Sequence, residues 1–280
     1  MYLSQFLYDI FRLSHRARKW YLRYLYAPLT PENVELEMED NTLLYVKPRY
    51  DYVQRETFLY QGKYTYESHI VRWIARNLHQ GETVVDVGSH IGYYLGPICR
   101  GVGPSGKAFF VEPLPEHYTL LQKNISANQF TWATSINLAI SDQIGETIFY
   151  PAKDSGRNSL VQNSITNHEP ITIMATTLDQ LSSEKGVETI DLLQIDVEGA
   201  EVRVIQGASE FLKEHRIKMI LCEWHPRQLK DEFQTDPIAF LAQINRYGYD
   251  AFRLDEQTGK EIAFNPEFVN TYQHLVFRLA

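Results

Sequence analysis

Val84-Val85-Asp86-Val87-Gly88-Ser89-His90-Ile91-Gly92 joins a β-branched run to a pair of glycines four residues apart. It reads as a strand that ends in a tight turn and opens a helix. Gly88 permits the turn, and Gly92 opens the helix so that a ligand can approach the backbone. Glycine loops of this kind also serve NAD and FAD proteins. The G-x-x-x-G spacing, however, departs from the dinucleotide pattern G-x-G-x-x-G. A carboxylate at Asp86 would also repel a pyrophosphate, which seeks the positive helix N-terminus. The same carboxylate suits the ammonium end and the sulfonium of S-adenosylmethionine. Taken alone, the loop also reads as a plain strand-to-helix turn capped by Asp86.

Ligands of open α/β sheets bind at the carboxyl ends of the strands, so the next strand ends are informative. The second ends Val111-Glu112-Pro113, with Glu112 24 residues after Gly88. That spacing lets an acidic residue reach an adenosine ribose. Two further strands end Gln194-Ile195-Asp196-Val197-Glu198-Gly199 and Cys222-Glu223-Trp224-His225. Like-signed carboxylates gathered in one place are unfavourable unless a cation or a proton is shared among them. The pattern therefore predicts a cationic ligand.

Strands are expected at Thr83–Val87, Ala108–Val111, Ala133–Ile140, Ile190–Ile195, Ile217–Cys222, Tyr249–Leu254 and His274–Leu279. Helices are expected between most of them, at Leu114–Asn128, Ala200–His215 and Pro237–Tyr247, where apolar residues recur at helical spacing. Alternating strands and helices signal an α/β, Rossmann-like parallel sheet. The last two strands lack a helix between them and read as an antiparallel pair ending it. The division expected is an N-terminal helical and aromatic extension over 1–80 and a cofactor-binding domain over 81–280. An insert over 143–181 reads as two short strands around a polar loop (Lys153, Asp154, Ser155, Gly156, Arg157, Asn158, Ser159), and long loops of this kind often serve as lids.

A hydrophobic content of 44% is enough to build a core, and a net charge of −8 opposes general nucleic-acid affinity. Cys99 and Cys222 lie far apart and outside any metal spacing, which fits a reducing compartment. Asp9, Arg12 and Arg16 interrupt the early apolar residues, and no apolar stretch reaches the length of a membrane span. A cytoplasmic protein is expected, and the sequence is compatible with a homo-oligomer. Arg12, Arg16, Arg18, Lys19 and Arg23 alternate with Phe11, Trp20, Tyr21, Tyr24 and Tyr26. That segment reads either as a membrane-surface helix or, preferably, as a helical cap whose aromatics cover the sheet or the acceptor pocket.

Together these stretches resemble the FkbM-type methyltransferase family. The resemblance runs from about Tyr66 to Leu254. It also rests on Gly62-Lys63-Tyr64-Thr65-Tyr66-Glu67, Leu138-Ala139-Ile140-Ser141-Asp142, Asn158-Ser159-Leu160 and Thr177-Leu178-Asp179-Gln180-Leu181. The most specific stretch is Ile190-Asp191-Leu192-Leu193-Gln194-Ile195-Asp196-Val197-Glu198-Gly199-Ala200-Glu201. The resemblance implies a seven-stranded class I methyltransferase sheet with an antiparallel last strand, S-adenosylmethionine as cofactor, and transfer to oxygen on a sugar or secondary metabolite. It implies that Asp86, Gly88, Ser89, His90 and Gly92 hold the methionine end, and that Glu112 with Pro113 holds the ribose. Ala139 and Ile140 would meet the adenine, and Asp196 would close the site near the methyl group. Tyr66, Glu67, Asn158, Ser159 and Glu198 are then expected on the acceptor side. Ser89-His90 replaces the family's usual Ala-Asn, which sets a titratable side chain beside the cofactor.

Transfer to a hydroxyl needs alignment and a base. His225 is the base expected, with Glu223 or Asp196 orienting it or acting in its place. A carboxylate acceptor, such as the terminus of a peptide natural product, would need none. The spacing of Asp196 and Glu198 requires no metal. Two other classes compete: an NAD-dependent oxidoreductase, which would need the dinucleotide spacing, and a non-catalytic binding protein, against which the intact strand-end carboxylates argue.

Overall fold

The computed structural model describes residues 2–12, 14–49, 51–152, 158–162 and 169–280. The chain opens with helices α1 (Leu3–Phe11), α2 (His15–Tyr24) and α3 (Tyr26–Leu29). A hairpin of β1 (Val34–Glu37) and β2 (Leu43–Val46) follows, then α4 (Tyr52–Leu59) and α5 (Ser68–Asn77). Thus the first eighty residues contain a strand pair that helical and aromatic patterning alone did not reveal. Next come β3 (Thr83–Val87), α6 (Leu95–Val102), β4 (Lys107–Val111), α7 (Pro115–Ala127), β5 (Ala133–Ile136) and β6 (Ala139–Ile140). Then follow β7 (Gly145–Phe149), β8 (Ile171–Thr176), α8 (Leu178–Lys185), β9 (Ile190–Ile195), α9 (Glu201–Gln206) and α10 (Ser209–Lys213). The chain ends with β10 (Ile217–Trp224), α11 (Pro226–Asp231), α12 (Pro237–Arg246), β11 (Tyr249–Leu254), β12 (Glu261–Ala263) and β13 (Gln273–Leu279).

Local chemistry explains many of these boundaries. Pro115 begins α7, where its missing N–H is harmless. The Thr177 hydroxyl caps α8 by accepting from the Gln180 N–H at 3.1 Å, and Gly186 ends it in a left-handed conformation. All six positions of β9 are buried, as a central parallel strand requires.

The principal sheet has eight strands in the order β12-β11-β13-β10-β9-β3-β4-β5. The run β10-β9-β3-β4-β5 is parallel, and β13 is antiparallel to both of its neighbours. This is the class I methyltransferase sheet with its antiparallel last strand, lengthened by the edge strand β12. The last two expected strands do form an antiparallel pair at this end of the sheet, with β13 lying between β10 and β11 and the short strand β12 at the edge.

Two other boundaries differ. The run 133–140 divides because Asn137 donates to the carbonyls of Glu112 and Pro113, at 2.9 and 3.0 Å. Beyond it, β6 leaves for a small second sheet, β6-β8-β7, built by the insert. The helix expected over 200–215 breaks at Gly207, whose α-carbon packs so closely on the Ser141 carbonyl that a Cβ would come within 2.0 Å.

Successive residues of each strand feed opposite layers. Val84, Leu192 and Leu221 share one core with Tyr8, Tyr21, Tyr26, Phe58 and Trp73 of the N-terminal region. Val85, Leu193 and Ile220 face a second core with α9, α10 and α12. The N-terminal aromatics therefore cover one face of the sheet, while Leu3, Phe6, Ile10, Trp20 and Tyr24 stay exposed. Among the described residues, no helix is long and apolar enough to cross a membrane.

Candidate active site

Strand register sets the site. Val87 pairs with Val111 on one side and Ile195 on the other, and Ile195 pairs with Cys222. Consequently Gly88, Glu112, Asp196 and Glu223 stand in a row along one edge of the sheet. Gly88 lies so close to the end of β9 that a Cβ would come within 1.8 Å of the Asp196 carbonyl oxygen. Its φ of +87° is one that only glycine adopts readily.

On the Glu112 side, the carboxylate is buried and locked. Its oxygens accept from the His90 N–H at 2.9 Å and the Leu114 N–H at 2.8 Å. The His117 imidazole lies 3.7 Å away. Burial pushes the Glu112 carboxyl up, but His117, His90 and the Leu114 N–H outweigh it and hold the group below the usual carboxylate range. His90 itself takes a left-handed backbone (φ 52°), as the asparagine it replaces would tolerate. Its Nε2 is 3.0 Å from Asp51 Oδ2, and its ring meets that of His117 edge-on at 4.1 Å. Burial alone would lower the His90 pKa, yet Asp51 raises it. The pair counters desolvation at Asp51 too and leaves that carboxyl well below its ordinary range.

The other half of the site is a knot of acids. Glu223 is held from behind: the Tyr272 hydroxyl donates to its Oε1, and His274 lies 3.9 Å from the same oxygen. Glu67 receives the Tyr94 hydroxyl on one oxygen and lies 3.4 Å from His274 through the other. Burial opposes charge on His274, but Glu67 and Glu223 push its pKa up to about 9. Asp196 and Glu198 are driven well above the carboxylate range by burial. Glu223 adds repulsion at both, although His225 opposes it. Both Glu67 (φ 46°) and Glu198 (φ 54°) occupy left-handed backbone, a conformation disfavoured for such residues by about 1–2 kcal/mol. Strain of this kind concentrates at functional sites.

A single cavity joins the halves. Of the residues expected at the site, Tyr66, Glu67, Gly88, Ser89, His90, Glu112, Pro113, Ala139, Ile140, Asn158, Asp196, Glu198 and Glu223 line it. Four do not. Asp86 lies inside β3, opposite Phe110 and Gln194, one residue below the rim. It is 1% exposed, and neither carboxylate oxygen has a hydrogen-bond partner among the described residues. Burial pushes its pKa up to about 7. Gly92 serves packing instead, since a Cβ there would meet Leu121 at 2.9 Å. Ser159 points away and donates to Glu232 at 3.0 Å. His225 is 6% exposed and sits behind Glu223 and Glu198 rather than on the cavity wall. Of the expected lid, Lys153, Asp154, Ser155, Gly156 and Arg157 lie outside the described residues. Asn158 accepts from the Ala152 N–H at 2.8 Å.

Sequence reading missed Asp51, Tyr94, His117, Tyr272 and His274. Tyr94 lies two residues beyond the glycine-loop stretch, so its position was near a visible signal and its role was not. His117 follows Glu112 by five residues, in the first turn of α7, and Asp51, Tyr272 and His274 reach the site only through tertiary contacts.

Residues 86–251 match the FkbM methyltransferase domain. The chain belongs to the FkbM methyltransferase family. A curated relative, the 2-O-methyltransferase NoeI of Sinorhizobium fredii, is 30% identical over 141 residues, covering 45% of this chain and 56% of that protein. The hexuronic acid methyltransferase AglP of Haloferax volcanii is 23% identical over 159 residues, 57% of this chain and 62% of that one. This FkbM family member thus spans less than two thirds of either relative's length. The FkbM methyltransferase structure from Methylobacillus flagellatus aligns with a TM-score of 0.46 at 14% identity, over 71% of this chain and 43% of that one.

The FkbM residues present here fit S-adenosylmethionine. Each Glu112 oxygen accepts one backbone N–H and keeps a further lone pair for a ribose hydroxyl. Leu138, Ala139, Ile140, Phe149 and Leu160 form an apolar wall suited to a base. Glu67 supplies negative charge for the cationic end, a bound cation would in turn favour the ionised form of Asp196, and Gly88 leaves the backbone bare beside it.

Proposed function

We propose that this chain is an S-adenosylmethionine-dependent O-methyltransferase acting on a hydroxyl of a small molecule, a sugar or a related polyhydroxylated metabolite. The observation that carries this reading is the row of Gly88, Glu112, Asp196 and Glu223 along one sheet edge, facing one cavity. When bound, S-adenosylmethionine would supply an electrophilic methyl group. Glu112 would hold the ribose, Ala139 and Ile140 the adenine, and Glu67 with Asp196 the charged end. The acceptor is held against Asp196, Glu198 and Glu223, whose carboxylates orient its hydroxyls. Asp196, at the mouth of β9, takes the hydroxyl proton as the oxygen attacks. His225 lies behind this wall, against Glu223, rather than touching the acceptor. The names of the two curated relatives support an oxygen acceptor on a sugar.

Calorimetry with S-adenosylhomocysteine and with NAD tests the cofactor assignment, and mass spectrometry of a panel of sugar acceptors tests the transfer. Binding of NAD in place of the homocysteine product would overturn the reading.

A further inference from the structure

The acid knot carries more than the cationic end of a cofactor requires. Asp196, Glu198, Glu223 and His225 each bring one oxygen or nitrogen to within 4.8 Å of the other three. His225 Nε2 lies 2.8 Å from Glu223 Oε2 and 3.9 Å from Glu198 Oε2. Although 2.8 Å is hydrogen-bond distance, the pair does not have hydrogen-bond geometry. Nε2 is left without a hydrogen-bond partner among the described residues, in a side chain only 7% exposed. A buried imidazole nitrogen and a carboxylate oxygen this close, without a proton in line between them, are disposed as two donors toward a shared cation.

We infer that Asp196, Glu198, Glu223 and His225 form a binding site for a divalent cation of the Mn2+ or Mg2+ class. Octahedral ions of this class hold neighbouring ligands about 3 Å apart and opposite ones about 4.2 Å apart, from metal–ligand distances of ~2.1 Å. The separations of 2.8 and 3.9 Å match those spans, and the widest, 4.8 Å or less, needs only a small contraction. Three carboxylates with one imidazole favour a hard to borderline ion over a soft one. The surroundings orient the donors. Tyr272 and His274 occupy Glu223 Oε1 and turn Oε2 toward His225, while the left-handed backbone at Glu198 sets its carboxylate at the cavity edge. Asp196, Glu198 and Glu223 also line the cavity, so an ion here would stand within reach of an acceptor hydroxyl and lower its pKa.

The site rests on this cluster, and its test uses Mn2+ alone. The chelator-treated full chain, without cofactor, is titrated with Mn2+ and followed by electron paramagnetic resonance and calorimetry. One ion should bind per chain, with 14N modulation from an imidazole in the pulsed spectrum. Glu198→Gln, at a partly exposed position (22%), should weaken binding by at least about tenfold. His225→Gln should abolish the 14N modulation. Should His225→Gln fail to fold, 15N-histidine labelling of the parent would report the same ligation. No stoichiometric binding, binding unchanged in Glu198→Gln, or a bound ion without nitrogen coupling would each overturn the site. S-adenosylhomocysteine affinity, measured on the same preparation, keeps the outcomes distinct. Its loss alone would sink the methyltransferase reading, and loss of Mn2+ binding alone would sink this one.

Discussion

The carboxylate of Glu112 accepts the backbone N–H of His90 at 2.9 Å, so the end of β4 holds the turn that follows β3. Glu112 therefore has two tasks, fixing the loop and presenting lone pairs to the cavity. Glu112→Ala should weaken both S-adenosylmethionine and S-adenosylhomocysteine by about 1.5–3 kcal/mol, as expected for lost bonds to a charged group. Stability should fall too, because the N–H groups of His90 and Leu114 lose their acceptor. Calorimetry showing unchanged affinity would remove Glu112 from the site.

The second prediction follows from the His90–Asp51 pair. The folded pKa of His90 is raised. Its contribution to stability is therefore complete below the unfolded histidine value, about 6.5, and is lost as pH rises through the folded value. Asp51 is shifted the other way, so its share is present above about pH 3.9 and is lost as pH falls toward its depressed folded value. Denaturant melts of the parent and of His90→Asn isolate the first effect, since His274 and other groups are common to both. The parent's advantage should shrink as pH rises above about 6.5, and a constant difference up to alkaline pH would refute the pairing. Asp51→Ala, which also removes the cap of α4, should cost about 3–5 kcal/mol.

Gly88 and Gly186 make a matched test of the rim. Both have positive φ, but a Cβ at Gly88 meets the Asp196 carbonyl whereas one at Gly186 meets nothing within 4 Å. Gly186→Ala should cost about 1–2 kcal/mol of stability from backbone strain and leave cofactor binding intact. Gly88→Ala should cost more than that and weaken S-adenosylhomocysteine at least about tenfold, roughly 1.4 kcal/mol. Equal effects of the two on cofactor binding would show that the Gly88–Asp196 contact has no part in it.

Asp196 bears on the acceptor class. Asp196→Asn should lower turnover on a hydroxyl acceptor by about 10²–10⁴-fold, with a much smaller effect on a carboxylate acceptor, which is already ionised. Steady-state rates on one acceptor of each kind make the comparison. Equal losses on both would assign Asp196 to positioning rather than to proton removal.

What the sequence carries is local. The β-branched run before Gly88, the apolar positions of β9 and the acids just beyond Val111, Ile195 and Cys222 are short-range signals. Each depends on a few neighbouring residues, so fold class and most of the cavity wall were legible from them. Depth and long-range pairing are not local. Asp86 resembles the other strand-end acids in sequence, yet it lies one residue inside β3 and below the rim, because register with Phe110 and Gln194 determines where the strand stops. His274 stands opposite Glu223 only because β13 enters the sheet beside β10, and Asp51 meets His90 only because the N-terminal region folds over the glycine turn. For the same reason His225 read as the base at the end of its strand and lies buried behind Glu223. A residue's type and spacing determine what chemistry it can offer. Which way it faces, and which charges share its low-dielectric surroundings, depends on partners tens to hundreds of residues away, and the tertiary structure alone brings those together.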